Sequence, residues 1–506
     1  MKLSQLFGII DIGSNSVRMV IYEDAGEGIH RVVEESKKTI RLIDKVTREG
    51  QLPIQELQDL LDTLIEFQVL CKGYNTAFIR SVATAAIRNA INSEEVVAYL
   101  TSMTGLTIEV ASEQDEARYG FIGVLNAMAV TDGFLIDIGG GSTEISLFRN
   151  RSIVHTVSFP FGAVNTAKRY APGGASDEAS LRDIRVMTEA LFECEPWLKK
   201  SPGLPMIGLG GTIRTLAKLV QRRSNHSLPI AHNYQMSLTT VHETIEFLAG
   251  LPLNQRVKVE GLAVDRADII VPGLVILQNA LLHTQASHSI VSGAGLREGV
   301  YYETVMPGKP FVENVLEHSV ANLLRNASYL PARHTEQVHQ IAMQLFDGLQ
   351  DVHKLDSSLR ACLYAASKLY RIGTSISYYC YPVHTFYLMT NARINGLTHR
   401  EIVLSSLIAS YTGKKKTRKA FLVHQDLLTQ ADLSAAVALG SLLQLAAALD
   451  SSRSQRVQQI KVQSKGAPTF QLVCSAYPQS ELTAAKTLSE DFRKVWRFPL
   501  VLTVAP

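Results

Sequence analysis

The sequence predicts an α/β protein with two related lobes, followed by an all-helical domain and a small α+β domain. Short β-like runs alternate with helical patterns over the first 300 residues, and the pattern from about 311 to 450 is helical. A seven-residue motif also occurs twice in the α/β part. Such alternation is typical of sheets covered by helices. The expected domains are residues 1–125, 126–305, 306–450 and 451–506.

Length and composition restrict the class of protein. A chain of 506 residues is longer than one hydrophobic core supports, so several domains are expected. The net charge of +3 is too small for a general nucleic-acid or membrane-surface binder. The five cysteines have no zinc-type spacing, which favours reduced thiols. We expect a cytoplasmic protein without a nucleic-acid partner.

Two apolar segments are too short for targeting or membrane functions. Residues 6–10 are followed by Asp11, which leaves too little apolar chain for a signal peptide. The longest uncharged run, residues 433–449, is shorter than the ~20 apolar residues of a membrane span. We therefore predict a buried helix there and no membrane span.

In the first lobe, residues 8–22 are predicted as two strands around a polar turn. Leucines at helical spacing predict a helix near 57–65, and a strand follows at 77–79. The next helix is expected from Ser93, as its N-cap, to Gly105, as its C-cap. A further helix at 113–129 carries a row of residues at helical spacing: Glu116, Gly120, Gly123 and Ala127. The small members of this row would let another backbone approach closely.

The repeated motif is the most informative feature of the sequence. IDIGSNS at 10–16 recurs as IDIGGGS at 136–142, each between β-rich runs. Two strand–turn–strand units of the same design predict related lobes that each present one polar turn to a shared cleft.

Both turns have the composition of an anion site. The first turn comprises Gly13, Ser14, Asn15 and Ser16, and the second comprises Gly139, Gly140, Gly141, Ser142 and Thr143. Successive backbone N–H groups and hydroxyls can bind phosphate oxygens, and glycine lets the phosphate approach the backbone. Either turn alone is equally consistent with a tight hairpin.

Carboxylates beside these turns suggest a metal ion. Asp11 and Asp137 each precede a turn, and Glu144 follows the second turn. A carboxylate repels phosphate unless a cation lies between them, so Mg²⁺ or another divalent cation is the expected cofactor. The alternative is that the aspartates cap the turns through Asx-type hydrogen bonds.

A third glycine cluster, Gly210, Gly211 and Thr212, follows a short strand at 206–207 and opens a helix. A helix N-terminus with exposed N–H groups is another candidate phosphate contact. Close packing of the helix on the sheet is the alternative.

Together these segments resemble the exopolyphosphatase/guanosine pentaphosphate phosphohydrolase (Ppx/GppA) family, within the actin, sugar-kinase and heat-shock ATPase superfamily. The resemblance covers nearly all of residues 1–300. Its segments are 9–20, 82–92, 116–118, 135–145, 208–216, 266–268 and 292–299.

The resemblance implies an actin-like (ribonuclease H-like) fold and a Mg²⁺-dependent phosphoanhydride hydrolase. Glu116 matches the family's water-activating glutamate, although an acid there also suits the first turn of a helix. Asp137 and Glu144 match carboxylates linked to metal and catalysis, and both turns match phosphate motifs. Among the arginines, Arg88 is the best candidate phosphate contact. Arg18 and Arg266 hold more distal substrate or brace the lobes.

The helical region resembles the family's domain related to HD phosphohydrolases. Tyr370 and Arg371 stand where the His–Asp metal pair is expected, so a second hydrolase centre is not predicted. His339 is interpreted as a structural histidine. The densest basic run is a solvated loop or a rail for long polyphosphate, and it consists of Lys414, Lys415, Lys416, Arg418 and Lys419. The tail is expected to have strands around a Gly466-Ala467-Pro468 turn.

The leading interpretation is an exopolyphosphatase that removes terminal phosphate from inorganic polyphosphate. A guanosine pentaphosphate 5′-phosphohydrolase is the alternative, and the sequence does not separate the two. A sugar kinase is disfavoured by the Glu116-Ala117-Arg118 segment, and a catalytically silent polyphosphate or alarmone sensor by the retained acids. A homodimer is a hypothesis from the resemblance alone.

Overall fold

The computed structural model describes residues 5–325, 327, 331–463 and 468–505. It divides into two compact units, Met1–His226 with Ala231–Val315, and Ser227–Ile230 with Leu316–Pro506. Both lobes belong to the first unit. The expected turn at 466–468 lies partly outside the described residues, and the four-domain division stays a prediction.

The first lobe is a five-stranded sheet in the order β3-β2-β1-β4-β5. Its strands are β1 Gln5–Ile12, β2 Ser16–Asp24, β3 His30–Thr39, β4 Phe78–Ala83 and β5 Ile108–Val110. Strands β1, β2 and β3 pair antiparallel, whereas β4 is parallel to β1 and β5. The β1–β2 hairpin therefore forms as predicted. Strand β3 was not predicted, because its charged residues leave no apolar alternation along this edge strand.

The helices of the first lobe cover its sheet. They are α1 Leu42–Lys45, α2 Gln58–Gly73, α3 Ala85–Arg88, α4 Ser93–Thr104 and α5 Glu113–Leu125, with a 3-10 turn at Ile54–Leu57. Asn92, rather than the expected Ser93, is the N-cap of α4, and Ser93 is its first helical residue. Gly105 is the C-cap as predicted, with a φ of 71° that suits glycine.

The second lobe repeats this topology and adds one short edge strand. Its strands are β6 Gly133–Ile138, β7 Thr143–Arg149, β8 Ser152–Phe159, β9 Met206–Leu209, β10 Gln235–Met236 and β11 Ser289–Val291. Antiparallel β8-β7-β6 is followed by parallel β9 and β11, as β3-β2-β1 is followed by β4 and β5. The duplication seen in the sequence is thus a duplication of sheet topology.

Seven helices belong to the described part of the second lobe. They are α6 Ala163–Tyr170, α7 Glu178–Phe192, α8 Gly210–Arg223, α9 Leu238–Ala249, α10 Leu253–Arg256, α11 Ile270–Thr284 and α12 Leu296–Val305, with 3-10 turns at Pro172–Gly174, Pro196–Lys199 and Val264–Arg266. Most of α11 is buried, which explains its nearly unbroken apolar sequence.

Helices α5 and α12 pack closely against each other, and glycines make this contact tight. A Cβ atom at Gly123 would overlap the backbone of Gly295, and one at Gly299 would overlap the backbone of Tyr119. The predicted close approach of another backbone to the small-residue row is therefore confirmed. The two helices run antiparallel, since Gly123 meets the N-cap of α12 and Tyr119 meets Gly299 one turn further along. Glu116, on the first turn of α5, and residues 295–298 at the start of α12 line the same cleft.

The second unit is mostly helical with a small sheet. Its helices are α13 Val315–Arg325, α14 Ala332–Gly348, α15 Gln350–His353, α16 Leu359–Leu369, α17 Tyr381–Asn391, α18 His399–Ala409, α19 Lys414–Phe421, α20 Gln430–Ala448, α21 Gln479–Thr487 and α22 Ser489–Trp496, with 3-10 turns at Ile372–Ser375 and Leu422–His424. Its strands are β12 Val457–Gln463, β13 Thr469–Cys474 and β14 Leu502–Val504, in that order in the sheet. The basic run falls on α19, so it is a helix rather than a loop.

Two features of this unit bear on the HD-like hypothesis. The Tyr370 hydroxyl lies 2.7 Å from His334 Nε2, and Nδ1 of the same histidine lies 2.7 Å from Asp450 Oδ2. His339 contacts the Ser367 hydroxyl at 2.8 Å, and burial lowers its pKa to about 4, as suits a structural histidine. The relation to HD phosphohydrolases stays a prediction.

Helix α20 is long and apolar enough to cross a membrane by length and composition, with a mean hydropathy of 1.5. About 67% of it is buried within the protein, as in the core helices of soluble proteins. The expected absence of a membrane span stays a prediction.

Candidate active site

A cleft of about 930 Å³, including its open mouth, lies in the first unit and is bordered by both turns. It brings together residues predicted from five separate parts of the sequence. They are Asp11, Gly13, Ser14, Asn15, Ser16, Glu116, Asp137, Gly139, Gly140, Ser142, Gly210, Gly211, Thr212 and Arg266. The duplicated motif therefore does face one shared cavity.

The two turns have the same internal hydrogen bond. Gly13 N–H donates to the Ser16 carbonyl at 3.2 Å, and Gly139 N–H donates to the Ser142 carbonyl at 2.9 Å. The turns also touch, because a Cβ atom at Gly140 would lie 3.2 Å from Ser14 Cβ. Glycine is required at this position so that the two turns can meet.

The carbonyl groups of both turns are bound by the chain that follows them. Ser14 and Asn15 accept from the backbone N–H groups of 40, 41 and 43, and residues 139–141 accept from the N-terminal turn of α6. In a trans peptide the N–H points opposite to the C=O. The N–H groups of Asn15, Gly140, Gly141 and Ser142 therefore point away from these anchors, and none of them donates to another described residue.

The first turn also carries an unpaired side chain. Both the Oδ1 and the Nδ2 atom of Asn15 are buried and have no hydrogen-bond partner among the described residues. Buried amides in proteins are normally hydrogen-bonded, and an exception calls for an explanation. A bound phosphate would accept from Nδ2, and a water on a hydrated cation would donate to Oδ1.

Four carboxyl groups lie near the turns. Glu116, Asp137 and Glu144 line a small cavity that adjoins the main cleft, and Glu116, Asp137 and Asp11 also line the cleft itself. Burial raises the pKa of Asp137 to about 6 and that of Glu116 to about 7. Burial, with the charges of Glu116 and Asp137, also raises the pKa of Glu144 well above its usual value. Burial raises the pKa of Asp11 as well.

This donor set fits a hard divalent cation such as Mg²⁺. The carboxylates of Asp11 and Asp137 accept no hydrogen bond from the described residues, which also disfavours the Asx-cap alternative. The oxygens of Asp11, Asp137 and Glu144 are not all within 4.8 Å of one another. An ion held by one or two carboxylates, water and phosphate matches this spacing, since Mg²⁺ usually keeps several waters.

Glu116 is held by an arginine. Arg88 Nη1 donates to Glu116 Oε2 at 2.6 Å and to the Ala111 carbonyl at 3.1 Å. The Nε and Nη2 atoms of Arg88 are buried without a partner in the described chain. Arg88 does not line the main cleft, so its contact with Glu116 is the one that the structure shows.

The third glycine cluster makes room for two charged groups. Gly210 has a φ of 78°, and a Cβ atom there would lie 2.6 Å from Asp137 Oδ1. A Cβ atom at Gly211 would overlap the guanidinium of Arg266. Both glycines also line the cleft. The two alternatives from the sequence, close packing at the glycines and a place in the binding site, therefore hold together.

Two other predicted residues point away from the cleft. The Thr143 hydroxyl is buried and donates to the Phe161 carbonyl at 2.7 Å, so this side chain stabilises the second lobe from inside. Gly141 does not line the cavity and packs beside Ile43. Glu144 also lies below the main cleft, where it accepts from the Ser158 hydroxyl at 3.0 Å.

Three charged residues of the cleft were not assigned a role from the sequence: Arg214, Arg297 and Glu298. Arg214 Nε donates to the Gly210 carbonyl at 2.8 Å, and burial lowers the pKa of this arginine to about 10. Arg297 pairs with Glu35 at 2.8 Å. All three lie in segments that carry the family resemblance, and this was the only signal for them.

Comparison with known proteins identifies the family of this chain. The Ppx/GppA phosphatase family matches residues 19–307, and domain III of the same family matches residues 315–489. The chain belongs to this family. The Aquifex aeolicus member of the Ppx/GppA family is 26% identical with a TM-score of 0.52, over 60% of this chain and 99% of the other. An exopolyphosphatase from Cytophaga hutchinsonii is 25% identical with a TM-score of 0.54, over 61% and 100% respectively.

Family membership corrects and supports the predictions in part. An actin-like α/β part and a mostly helical C-terminal region with a small sheet are now established. Membership of the Ppx/GppA phosphatase family is likewise established. The roles of single residues, the metal and the substrate belong to the proposal below.

Proposed function

We propose that the chain is a Mg²⁺-dependent exopolyphosphatase that hydrolyses the terminal phosphoanhydride bond of inorganic polyphosphate. The observation that carries this proposal is the pair of touching turns, which keep backbone N–H groups unpaired within the described residues and line one cleft together with Glu116. Such N–H groups can bind the equatorial oxygens of a phosphate, where charge is carried during transfer. Similarity to the Cytophaga hutchinsonii exopolyphosphatase supports this substrate.

Phosphoryl transfer to water needs positioning and charge stabilisation more than covalent chemistry. The first turn and the second turn bind the terminal phosphate from two sides, and Asn15 donates from its side chain. Asp137 and Asp11 are the carboxylates that would hold Mg²⁺, with Glu144 oriented below. When bound, Mg²⁺ would neutralise phosphate charge.

Glu116 acts as the base that orients and deprotonates water. Its position at the start of α5 is fixed by the contact with α12, and Arg88 sets the orientation of its carboxylate. Burial raises the pKa of Glu116 to about 7, which is the range in which a base works best near neutral pH.

A guanosine pentaphosphate 5′-phosphohydrolase uses the same chemistry on a nucleotide. The experiment is therefore release of orthophosphate by the purified protein, with long-chain polyphosphate, guanosine pentaphosphate and ATP compared with and without EDTA. We expect the largest kcat/KM for polyphosphate and none with EDTA. Preference for the pentaphosphate would establish the alternative activity, and preference for ATP would favour a phosphotransferase. Binding without metal-dependent release from any substrate would identify a sensor.

A further inference from the structure

One side chain outside the cleft is unusual in its burial. Arg256, at the end of α10, is only 1% exposed and is the largest fully buried side chain in the described residues. No carboxylate accepts a hydrogen bond from it. Burial lowers the pKa of Arg256, and the negative charge of Asp268 offsets only part of this effect. A buried charge without a hydrogen-bonded carboxylate is costly, so an arginine here needs a reason.

The guanidinium of Arg256 joins three separate segments of the second lobe. Nε donates to the Leu248 carbonyl at 3.0 Å, and Nη2 donates to the Leu251 carbonyl at 3.0 Å and to Ser176 Oγ at 2.9 Å. Nη1 donates to the carbonyls of Gly174, at 3.1 Å, and Ala267, at 3.2 Å. A planar fork with five N–H groups is the one side chain that can make all of these bonds.

The contact with Ala267 connects this network to the cleft. Ala267 follows Arg266, whose guanidinium lies against Gly211 in the cleft wall. Arg266 donates no side-chain hydrogen bond to any described residue, so its position depends on the backbone that carries it. Burial lowers the pKa of Arg266, which is further lowered by the nearby charge of Arg18.

The flanking residues of Arg266 are held from the other side by the first lobe. Arg41 donates to both carboxylate oxygens of Asp268, at 2.8 and 3.0 Å, and to the carbonyl of Asp265 at 2.9 Å. The Thr39 hydroxyl donates to the Asp265 carboxylate at 2.9 Å. Arg256 therefore supports the segment 265–268 from within the second lobe.

We propose that Arg256 is a positioning residue for substrate binding: by fixing the Ala267 carbonyl, it holds the Arg266 guanidinium against Gly211 where it can contact a phosphate of the substrate. This inference rests on the proposed function, because it takes Arg266 as a phosphate ligand. Arg256 itself does not line the cleft and does not touch the substrate. Its loss should weaken binding and leave the hydrolytic step nearly unchanged.

The test is a double-mutant cycle of Arg256→Lys and Arg266→Ala. The readouts are the Kd for tripolyphosphate by calorimetry, kcat and KM for polyphosphate, and the Tm. Lysine keeps the charge but loses the fork. We expect Arg256→Lys to raise Kd and KM about fivefold in the wild-type background and less than about twofold in the Arg266→Ala background, since coupled residues are not additive. The kcat should change less than about twofold.

Ser176→Ala is the matched control, since it removes one acceptor of Arg256 and leaves the contact with Ala267 intact. We expect this variant to lower the Tm slightly and to leave Kd and KM unchanged. If Arg256→Lys does not fold, Arg256→Gln, which removes the buried charge but keeps two N–H donors, carries the same comparison.

Three results would overturn the inference. An equal increase in Kd in both backgrounds, or a lower Tm with an unchanged Kd, would assign Arg256 a structural role only. An unchanged Kd in Arg266→Ala alone would remove Arg266 from substrate binding, and the positioning role with it. Failure of the proposed function gives a different result, namely no release of orthophosphate and no tripolyphosphate binding by the wild-type protein.

Discussion

In the first turn, Gly13 N–H binds the Ser16 carbonyl, and the strand pairing places Arg18 directly opposite Asp11. In the second turn, Gly139 N–H binds the Ser142 carbonyl in the same way, but the residue opposite Asp137 is Glu144. The backbone of the motif is thus duplicated, whereas the charge beside it is reversed. The comparison separates a backbone feature that both turns share from a side-chain charge that differs between them.

In the proposed function, the opposite charges beside the two turns give these turns different roles. Backbone N–H groups serve any phosphate, so both turns keep the same anchored carbonyls. Arg18 makes the first lobe's side of the cleft cationic, where a polyphosphate needs counter-charge. Glu144 and Glu116 make the side of the second turn anionic, where a divalent cation and an oriented water are needed. We infer that duplication produced the two phosphate-binding turns. Divergence at one strand position, Arg18 in the first lobe and Glu144 in the second, then gave the turns different charges.

The largest expected effect comes from removing one aspartate at a time. Asp137→Asn should lower kcat/KM about 1,000-fold, because metal stabilisation is worth several kcal/mol and this carboxylate lies beside Glu116 and Glu144. Asp11→Asn should lower it only about tenfold, because the residue paired with Asp11 across the hairpin is Arg18, whereas Asp137 is paired with Glu144. Orthophosphate release over a Mg²⁺ titration measures both variants. Equal losses would contradict the asymmetry of the two turns.

The contact between the turns can be broken by a single methyl group. Gly140→Ala places a Cβ atom 3.2 Å from Ser14 Cβ and 3.4 Å from Asn15 N, so the turns must separate. Overpacking of this kind costs about 1–3 kcal/mol, and we expect KM to rise about tenfold. The control is Gly73→Ala at the end of α2, where a Cβ atom meets nothing within 4 Å. Wild-type KM in both variants would show that the turns do not need to touch.

The charge reversal can be tested with Arg18→Gln and Glu144→Gln. Losing one charge-assisted hydrogen bond to phosphate costs about 1.5–3 kcal/mol, so Arg18→Gln should raise KM about tenfold or more with kcat nearly unchanged. Glu144→Gln should instead lower kcat, since this side chain lies below the turns beside Glu116. Steady-state kinetics on polyphosphate separates the two variants. The prediction fails if both variants change the same kinetic constant.

The smallest expected effect is on stability. Burial raises the pKa of Asp137 to about 6 and of Glu116 to about 7, above their unfolded values. Their protonated forms therefore contribute stability that is present below about pH 4 and is lost as the pH rises through 6 and 7. A divalent cation would compensate for the ionised forms. Mg²⁺ should raise the Tm by a few degrees at pH 8 and by much less at pH 5.

Asp137→Asn is the control for this measurement, and it should abolish the Mg²⁺-dependent increase in Tm at pH 8. An increase of the same size at pH 5 and pH 8 in the wild-type protein would place the ion away from these carboxylates.

Local sequence patterns predicted the parts of the site that lie on one stretch of chain. The hairpin with Asp11, the second turn and the glycines of α8 could be predicted because strand, turn and helix signals are short-range. The row beginning at Glu116 predicted a close backbone contact, since its spacing follows one face of a helix. These features need no knowledge of which distant segment packs against them.

Other parts of the site depend on contacts between distant segments. Arg297 enters the cleft because α12, from late in the sequence, packs on α5, and no local pattern encodes that contact. The direction of Arg88, toward Glu116, depends on the position of α3 relative to α5. Thr143 was predicted from the motif to bind phosphate, but its hydroxyl donates to the Phe161 carbonyl instead. A motif alone does not tell which of its side chains face the cleft.

The central claim is that Glu116 acts on water beside a phosphate held by both turns, and Glu116→Gln tests it most directly. The measurement compares turnover of polyphosphate with calorimetric binding of tripolyphosphate in the variant and in the wild-type protein. General-base catalysis contributes about 10²–10⁴-fold, so turnover should fall by that factor while the Kd stays within about twofold. Near-normal turnover by Glu116→Gln would contradict the account.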